Sequence, residues 1–171
     1  MIKIFKGIIP KMACTTIIRE GLTRPLIDAG IGKNNTKSKG RSTNISFIDN
    51  HFLKSYIHEL VTTHYDNYVI EEAEDLQFAI YRKDDFYGLH KDADEENNRV
   101  LSVSVQLSKS EDYEGGDLIF DYDRHPIERA QGTVIIFPSN LYHEVTPVTV
   151  GMRYSLVQWF KGHKWWFKGD E

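Results

Sequence analysis

A single cysteine, Cys14, is present in 171 residues, which excludes an internal disulfide framework and fits a reducing, cytoplasmic setting. An excess of charge of one sign is also missing. Lys and Arg number 21 against 25 Asp and Glu, a formal net charge of -4, so the surface has no overall pull toward nucleic acid or an anionic membrane. No apolar run approaches the length of a membrane span. The N-terminal stretch MIKIFKGIIPKM alternates lysines with apolar residues and lacks the unbroken apolar stretch of a signal peptide, so Met1 is read as part of the mature protein. Internal repeats, heptad runs and low-complexity segments are absent too. What is left is a chain of one-domain size, long enough to bury about two thirds of its unfolded surface.

The tract Gly32 to Asn44 (GKNNTKSKGRSTN) carries basic residues at Lys33, Lys37, Lys39 and Arg41 and no acidic ones. It reads as a mobile loop and a candidate lid. Without interleaved aromatics its charges suit a solvated loop better than a nucleic-acid contact. Asp49 or Asn50 is a good N-cap, and Phe52, Leu53, Tyr56, Ile57, Leu60 and Val61 recur at helical spacing after it. A helix over about 50–66 follows, with its apolar stripe against a sheet.

Beyond residue 76 the texture changes to short segments rich in Val, Ile, Phe and Tyr between Gly, Pro, Asp and Asn clusters. LQFAIYR, FYGLHKD, RVLSVSVQLS, GGDLIFDY, GTVIIFP, YHEVTP and GMRYSLVQWF are the expected strands. Their intervals suit an antiparallel sandwich. The expected fold is mainly β with flanking helices (α+β), a double-sheet jelly roll or double-stranded β-helix of cupin-like form. Its one domain, 1–171, divides into a helical and loop region packing on the sheet (1–75), a jelly-roll core (76–162) and a C-terminal tail (163–171). Trp165, Trp166 and Phe167 read as a packing latch.

Against this background four residues carry chemistry. His90 and Asp92, two apart, share one face if FYGLHKD is extended. His143 follows the buried-looking strand GTVIIFP and a turn, which places it at the mouth of the same sandwich. Two imidazoles and a carboxylate form the facial ligand set of non-haem Fe(II), which leaves coordination positions open. A His two residues before an Asp is weak evidence alone, and ordinary polar residues near strand ends are the bland alternative. Asp94 competes with Asp92 because it returns to the same face, although DADEENN looks like a solvated turn. Zinc accepts the same ligands.

Arg153 strengthens the constellation. It alternates with Ser155, Val157 and Trp159, so it points inward with apolar neighbours. A buried guanidinium needs an anion, because leaving it unpaired costs several kcal/mol. A bound dicarboxylate, with the Ser155 hydroxyl as a second donor, would supply one; an internal salt bridge is the rival. His51, His58 and His64 lie on the expected helix, His125 in an acidic turn and His163 near the end of the chain, and none has a nameable metal partner.

With these motifs in place, residues from about Leu76 to Gly162 resemble the 2-oxoglutarate and Fe(II)-dependent oxygenases of the prolyl 4-hydroxylase type. YRKDDFYGLHKD is similar to the family's tyrosine, variable loop and first two iron ligands. VLSVSVQLSKSEDYEGGDLIF resembles its central strands, with Gly115 and Gly116 at the double-glycine turn. GTVIIFPSNLYHEVTPVTVGMRYSLVQWF resembles the segment with the second histidine and the arginine strand. The first 48 residues show no convincing match.

The resemblance implies His90, Asp92 and His143 as iron ligands and Arg153 on the distal carboxylate of 2-oxoglutarate. It places Tyr81 in the co-substrate pocket and Trp159 near the metal. Gln106 stands where relatives often have tyrosine, which leaves its contact open, and Tyr87 is a candidate substrate contact at the entrance. The cofactors implied are Fe(II), 2-oxoglutarate and O2, with ascorbate a candidate reductant.

The activity implied is hydroxylation of a C–H bond, of a prolyl or other residue in a peptide or protein, with release of succinate and CO2. Hydroxylation of a free amino acid, small metabolite or nucleobase is the alternative. A repair-type demethylase would carry a second arginine six residues after Arg153, where this chain has Trp159. From another class, a non-catalytic cupin-like metal-binding module stays open, although such a module has no need of a buried anion clamp.

Overall fold

The computed structural model describes residues 1–29 and 40–165. Its strands are β1 (Lys3–Phe5), β2 (Ile27–Asp28), β3 (Arg41–Ser42), β4 (Asn44–Ile48), β5 (Tyr68–Ala73), β6 (Leu76–Tyr81), β7 (Phe86–His90) and β8 (Arg99–Gln106). They continue with β9 (Tyr113–Gly115), β10 (Leu118–Phe120), β11 (Val134–Pro138), β12 (His143–Val145), β13 (Val148–Gly151) and β14 (Arg153–Lys164). Two helices, α1 (Lys11–Thr23) and α2 (His51–His64), lie among the early strands.

The major sheet runs β1-β11-β8-β14-β6-β4-β2, with β5 paired to the far end of β14, and a minor sheet runs β10-β12-β7-β3. A short pair, β13-β9, closes one end. Every named pairing is antiparallel. This is the expected double-stranded β-helix.

Strand alternation gives the major sheet two unlike faces. Leu76, Phe78, Ile80, Leu101, Val103, Val105, Val134, Ile136, Leu156 and Phe160 join Cys14 and Ile17 of α1 and Leu53, Ile57 and Val61 of α2 in one buried cluster. Ala79, Tyr81, Ile135 and Phe137 face the other way and meet Leu118, Phe120 and Val145 of the minor sheet. The apolar spacing of α2 places Leu53, Ile57 and Val61 in one stripe. Its start is set by Asn50, whose side-chain oxygen accepts the Leu53 N–H at 2.9 Å. In α1 the buried residues are Cys14, Ile17 and Gly21. A Cβ at Gly21 would lie 2.4 Å from the Phe78 ring, so glycine is what lets this helix sit down on the sheet.

Three readings are corrected here. The region before residue 76 does more than pack on the sheet, since β1, β2, β4 and β5 are strands of it and α1 is a second helix. Exposed Met12 and Leu22 blur the apolar stripe of α1, and strands of two to six residues carry too little alternation to read. The C-terminal boundary also moves: β14 continues to Lys164 because β5 pairs with it through Lys164↔Tyr68. Trp165 is 59% exposed and does not latch onto the core; Trp166, Phe167 and most of the basic tract, Lys33, Lys37 and Lys39 included, lie outside the described residues. Among the described residues no helix is long and apolar enough to cross a membrane.

Candidate metal centre and anion clamp

Strands β7 and β12 are neighbours, and His90 and His143 are direct partners in their register. Asp92 lies two residues past the end of β7, held by its backbone N–H donating to the Ser139 carbonyl at 2.9 Å. The three side chains therefore converge, each offering one ligand atom with all three atoms within 4.8 Å of one another. His90 Nε2 lies 3.4 Å from Asp92 Oδ1, and His143 Nε2 lies 3.5 Å from Oδ2. Asp94 is exposed and instead accepts the Glu96 and Asn97 N–H groups at 2.8 Å, a local turn as its surroundings suggest.

Both imidazoles are oriented by backbone. His90 Nδ1 meets the Gly88 carbonyl at 2.8 Å and His143 Nδ1 meets the Leu141 carbonyl at 2.9 Å. A carbonyl can only accept, so each Nδ1 carries a hydrogen, and Nε2 is the ring atom turned toward the common point. The Tyr87 ring stacks on His90 at 3.6 Å, and Phe137 meets His143 edge-on at 4.8 Å. Ser102 Oγ donates to Asp92 Oδ2 at 2.7 Å and lies 2.8 Å from Ser139 Oγ.

Burial alone would raise the Asp92 pKa. The His90 hydrogen bond, the nearby His143 and the Ser102 hydroxyl outweigh it and hold the carboxyl well below the usual carboxylate range. Burial lowers His143 below its ordinary value, with Asp92 opposing. An ionised carboxylate beside a neutral imidazole is the protonation state that binds a divalent cation. The donor set, two nitrogens and one oxygen on a single side, fits a metal that keeps further positions open.

At the other end of the cavity Arg153 is 1% exposed. Its Nη1 donates to Ser155 Oγ at 3.3 Å and its Nη2 to Gln106 Oε1 at 3.0 Å, while the Tyr81 ring lies 5.2 Å from its guanidinium carbon. Gly116, at φ +60°, makes room for it, since a Cβ there would come within 3.1 Å of Arg153 Cδ and 2.8 Å of Val148 Cγ2. Nε has no hydrogen-bond partner, and no carboxylate of the described residues pairs with this arginine. Among the described residues the rival internal salt bridge is not formed. A buried positive charge held only by neutral oxygens is a place for an anion.

Tyr81, Tyr87, Ser155 and Trp159 line one cavity with the His-Asp-His group and Arg153. Gln106 touches Arg153 itself. Ser102 and Ser139 behind Asp92, and Gln77, Ser104 and Phe137 in the cavity wall, escape the sequence reading, and Arg41, read there as part of a solvated loop, lies on β3 and lines the cavity. A signal for some of them exists: Ser102, Ser104 and Gln106 alternate with Val103 and Val105 in RVLSVSVQ, and Gln77 interrupts LQFAIY.

Four buried nitrogens without a partner among the described residues, Arg41 Nε, Gln77 Nε2, Arg153 Nε and Trp159 Nε1, belong to residues lining this cavity. Each such donor costs about 1–3 kcal/mol when left unmade. Of the other histidines, His64 packs on Phe5 and His58 on Phe160; His51, His125 and His163 approach exposed Asp49, Asp123 and Glu71.

Comparisons with known proteins bear on the stretch that carries these residues. The family model of the 2OG-Fe(II) oxygenase superfamily matches residues 76–161. A PKHD-type hydroxylase of Acinetobacter baumannii (strain AYE) is 34% identical over 92 residues, covering 48% of this chain and 40% of that protein. The chain thus spans well under half the length of the curated relatives it matches. A crystal structure of a Pseudomonas putida prolyl-4-hydroxylase superposes with a TM-score of 0.78 at 21% identity, covering 95% of this chain and 92% of the other. A prolyl hydroxylase from Trichoplax adhaerens, in complex with a hypoxia inducible factor oxygen degradation domain peptide fragment, gives a TM-score of 0.81 at 20% identity over 94% and 83%.

Proposed function

The chain belongs to the 2OG-Fe(II) oxygenase superfamily, and from that premise we propose that it hydroxylates a C–H bond of a prolyl or other residue in a peptide or protein. In this reading His90, Asp92 and His143 hold Fe(II), and Arg153, helped by Ser155 and Tyr81, holds the distal carboxylate of 2-oxoglutarate. Iron, 2-oxoglutarate and dioxygen together supply the oxidant for the C–H bond, with succinate and CO2 released. The observation that carries the proposal is the pairing of an open His-Asp-His group with a buried arginine lacking a carboxylate partner among the described residues, in one cavity. The Arg153 end of that cavity matches the distal carboxylate of the co-substrate in charge.

The chain's own residues have distinct tasks. The Gly88 and Leu141 carbonyls fix the imidazole orientations, and Ser102 steadies the Asp92 carboxylate. Gln106 and Ser155 fix the Arg153 fork, and Tyr87 with Phe137 and Phe120 shields the metal side from water. The peptide substrate is supported by the likeness to the Pseudomonas putida prolyl-4-hydroxylase and by the peptide in the Trichoplax structure. A reducing, cytoplasmic location belongs to the same proposal, resting on the lone and buried Cys14.

Anaerobic addition of Fe(II) and then 2-oxoglutarate should produce a weak visible metal-to-ligand charge-transfer band. His143→Ala should abolish the band, and Arg153→Ala should raise the 2-oxoglutarate concentration needed to form it. Well-folded protein that gives no band overturns the reading.

A further inference from the structure

The two ends of the cavity differ in charge. Across the inner face of the major sheet, register sets side chains in rows: Arg153 beside Tyr81, Ser155 beside Ala79 and Gln106, Val157 beside Gln77 and Ser104, and Trp159 beside Ser102. Ser102 is the residue that donates to Asp92, so the Trp159 row is the metal end and Gln77 is one row away from it. Both side chains are more than nine-tenths buried, Gln77 at 5% and Trp159 at 9% exposure. Both line the cavity. Neither Gln77 Nε2 nor Trp159 Nε1 has a hydrogen-bond partner among the described residues. Diagonal neighbours on adjacent antiparallel strands lie within reach of each other's long side chains. The result is a pair of N–H donors without acceptors among the described residues, in the rows nearest the metal end.

The charge around them narrows what they can receive. The Arg99 guanidinium stacks on the Trp159 ring at 3.9 Å and holds the indole in place. That arginine is itself forked onto Glu74, with Nε and Nη2 each 2.7 Å from a carboxylate oxygen, so its charge is already compensated. Arg41, the cavity's other cation besides Arg153, lies on the minor sheet with its guanidinium over the Tyr87 ring at 4.2 Å. The metal end of the major sheet therefore offers neutral donors without free positive charge, whereas the Arg153 end offers free charge. A carboxylate suits the second; a neutral acceptor suits the first.

We infer that Gln77 and Trp159 form a subsite for an amide carbonyl of the primary substrate, whose oxygen has two lone pairs to accept both N–H groups. The inference rests on the hydroxylase reading and narrows it: the substrate carries a peptide bond or carboxamide next to the carbon that reacts, and a free amino acid, which would bring a carboxylate, is disfavoured.

The test uses Gln77→Met, which keeps the side-chain volume and removes the amide, and Trp159→Phe, which keeps a ring and removes the N–H. First, the melting temperature of the ligand-free Gln77→Met protein should equal or exceed that of wild type, because an unpaired donor is removed. A fall of several degrees would mean that Gln77 is paired within the fold, and would sink the subsite. Second, protein loaded with Fe(II) and 2-oxoglutarate is titrated anaerobically with a panel of capped dipeptide amides and the corresponding free amino acids, following the perturbation of the charge-transfer band.

At least one capped dipeptide should bind more tightly than its free amino acid and lose about five- to tenfold in affinity in each variant, the loss of one neutral hydrogen bond. The 2-oxoglutarate affinity of Gln77→Met should match wild type. Preference for free amino acids, failure of every capped dipeptide, or variants that bind as wild type does would each overturn the inference. Absence of the band itself strikes at the hydroxylase reading instead, so the two failures are distinguishable.

Discussion

Leu101, Val103 and Val105 face the helices, and Ser102, Ser104 and Gln106, one residue away in each case, face the cavity. The same division holds on β6, between Phe78 and Gln77, and on β14, between Leu156 and Arg153. One face of the major sheet is filled with aliphatic and aromatic groups and covered by α1 and α2. The other carries hydroxyls, amides and a buried cation that the fold leaves partly unpaired. Adjacent residues on one strand thus serve opposite ends: the apolar set stabilises the sheet through burial, and the polar set costs stability that a bound ligand recovers. Local rules broken on one face only are a mark of a functional site.

Substitutions can pull the two faces apart. The largest effect is expected from Phe78→Ala, which empties a fully buried position under α1. It should lower stability by about 3–5 kcal/mol in denaturant unfolding. The molecules that remain folded should give a charge-transfer band at unchanged 2-oxoglutarate concentration. A weakened band at equal folded fraction would show that the faces are coupled.

Gln106→Glu acts on the other face. It puts a carboxylate where Oε1 now accepts from Arg153 Nη2 at 3.0 Å, building a salt bridge that the described residues of the native chain do not make. Stability should hold or rise, while the 2-oxoglutarate needed to form the band should increase about tenfold to a hundredfold. Unchanged affinity would remove Arg153 from the anion site.

The smallest expected effect is a pH dependence confined to the helix face. Burial pushes the Cys14 thiol up to about 11 from 9.0, with a backbone hydrogen bond working weakly against it. The folded protein keeps its thiol proton more firmly than the unfolded chain does. The associated stability is therefore complete below pH 9 and is lost as pH rises toward about 11. Cys14→Ala should flatten that part of the stability profile, and in the native protein at pH 8 a thiol reagent should label Cys14 only at the rate of opening. Fast labelling would show that the α1 seam is loose.

The two faces also differ in how readable they are. Strand alternation from Leu76 onward is plain in the sequence, and so is the Asn50 cap of α2, because both depend on neighbours within a few residues. His90, Asp92, His143 and Arg153 stand out as polar groups in apolar strands and as spacings shared with a known family. The early strands do not stand out, since β1, β4 and β5 take their character from pairing with β11, β6 and β14, far along the chain. Nor does Ser139, which meets Asp92 through backbone and, by way of Ser102, through side chain. Gln77 and Trp159 are visible as residues, but that their donors go unpaired depends on every group around them.

By itself the sequence determined the alternation of the strands, the ligand types and the inward direction of Arg153, because two-residue periodicity and side-chain chemistry are local properties. Tertiary structure alone decided that Arg153 has no carboxylate partner among the described residues, that Gln106 holds it, and that Gln77 and Trp159 keep N–H groups unpaired toward the metal end of the cavity. Those are sums over contacts between residues distant in the chain, and closing the sheets on one another is what fixes them.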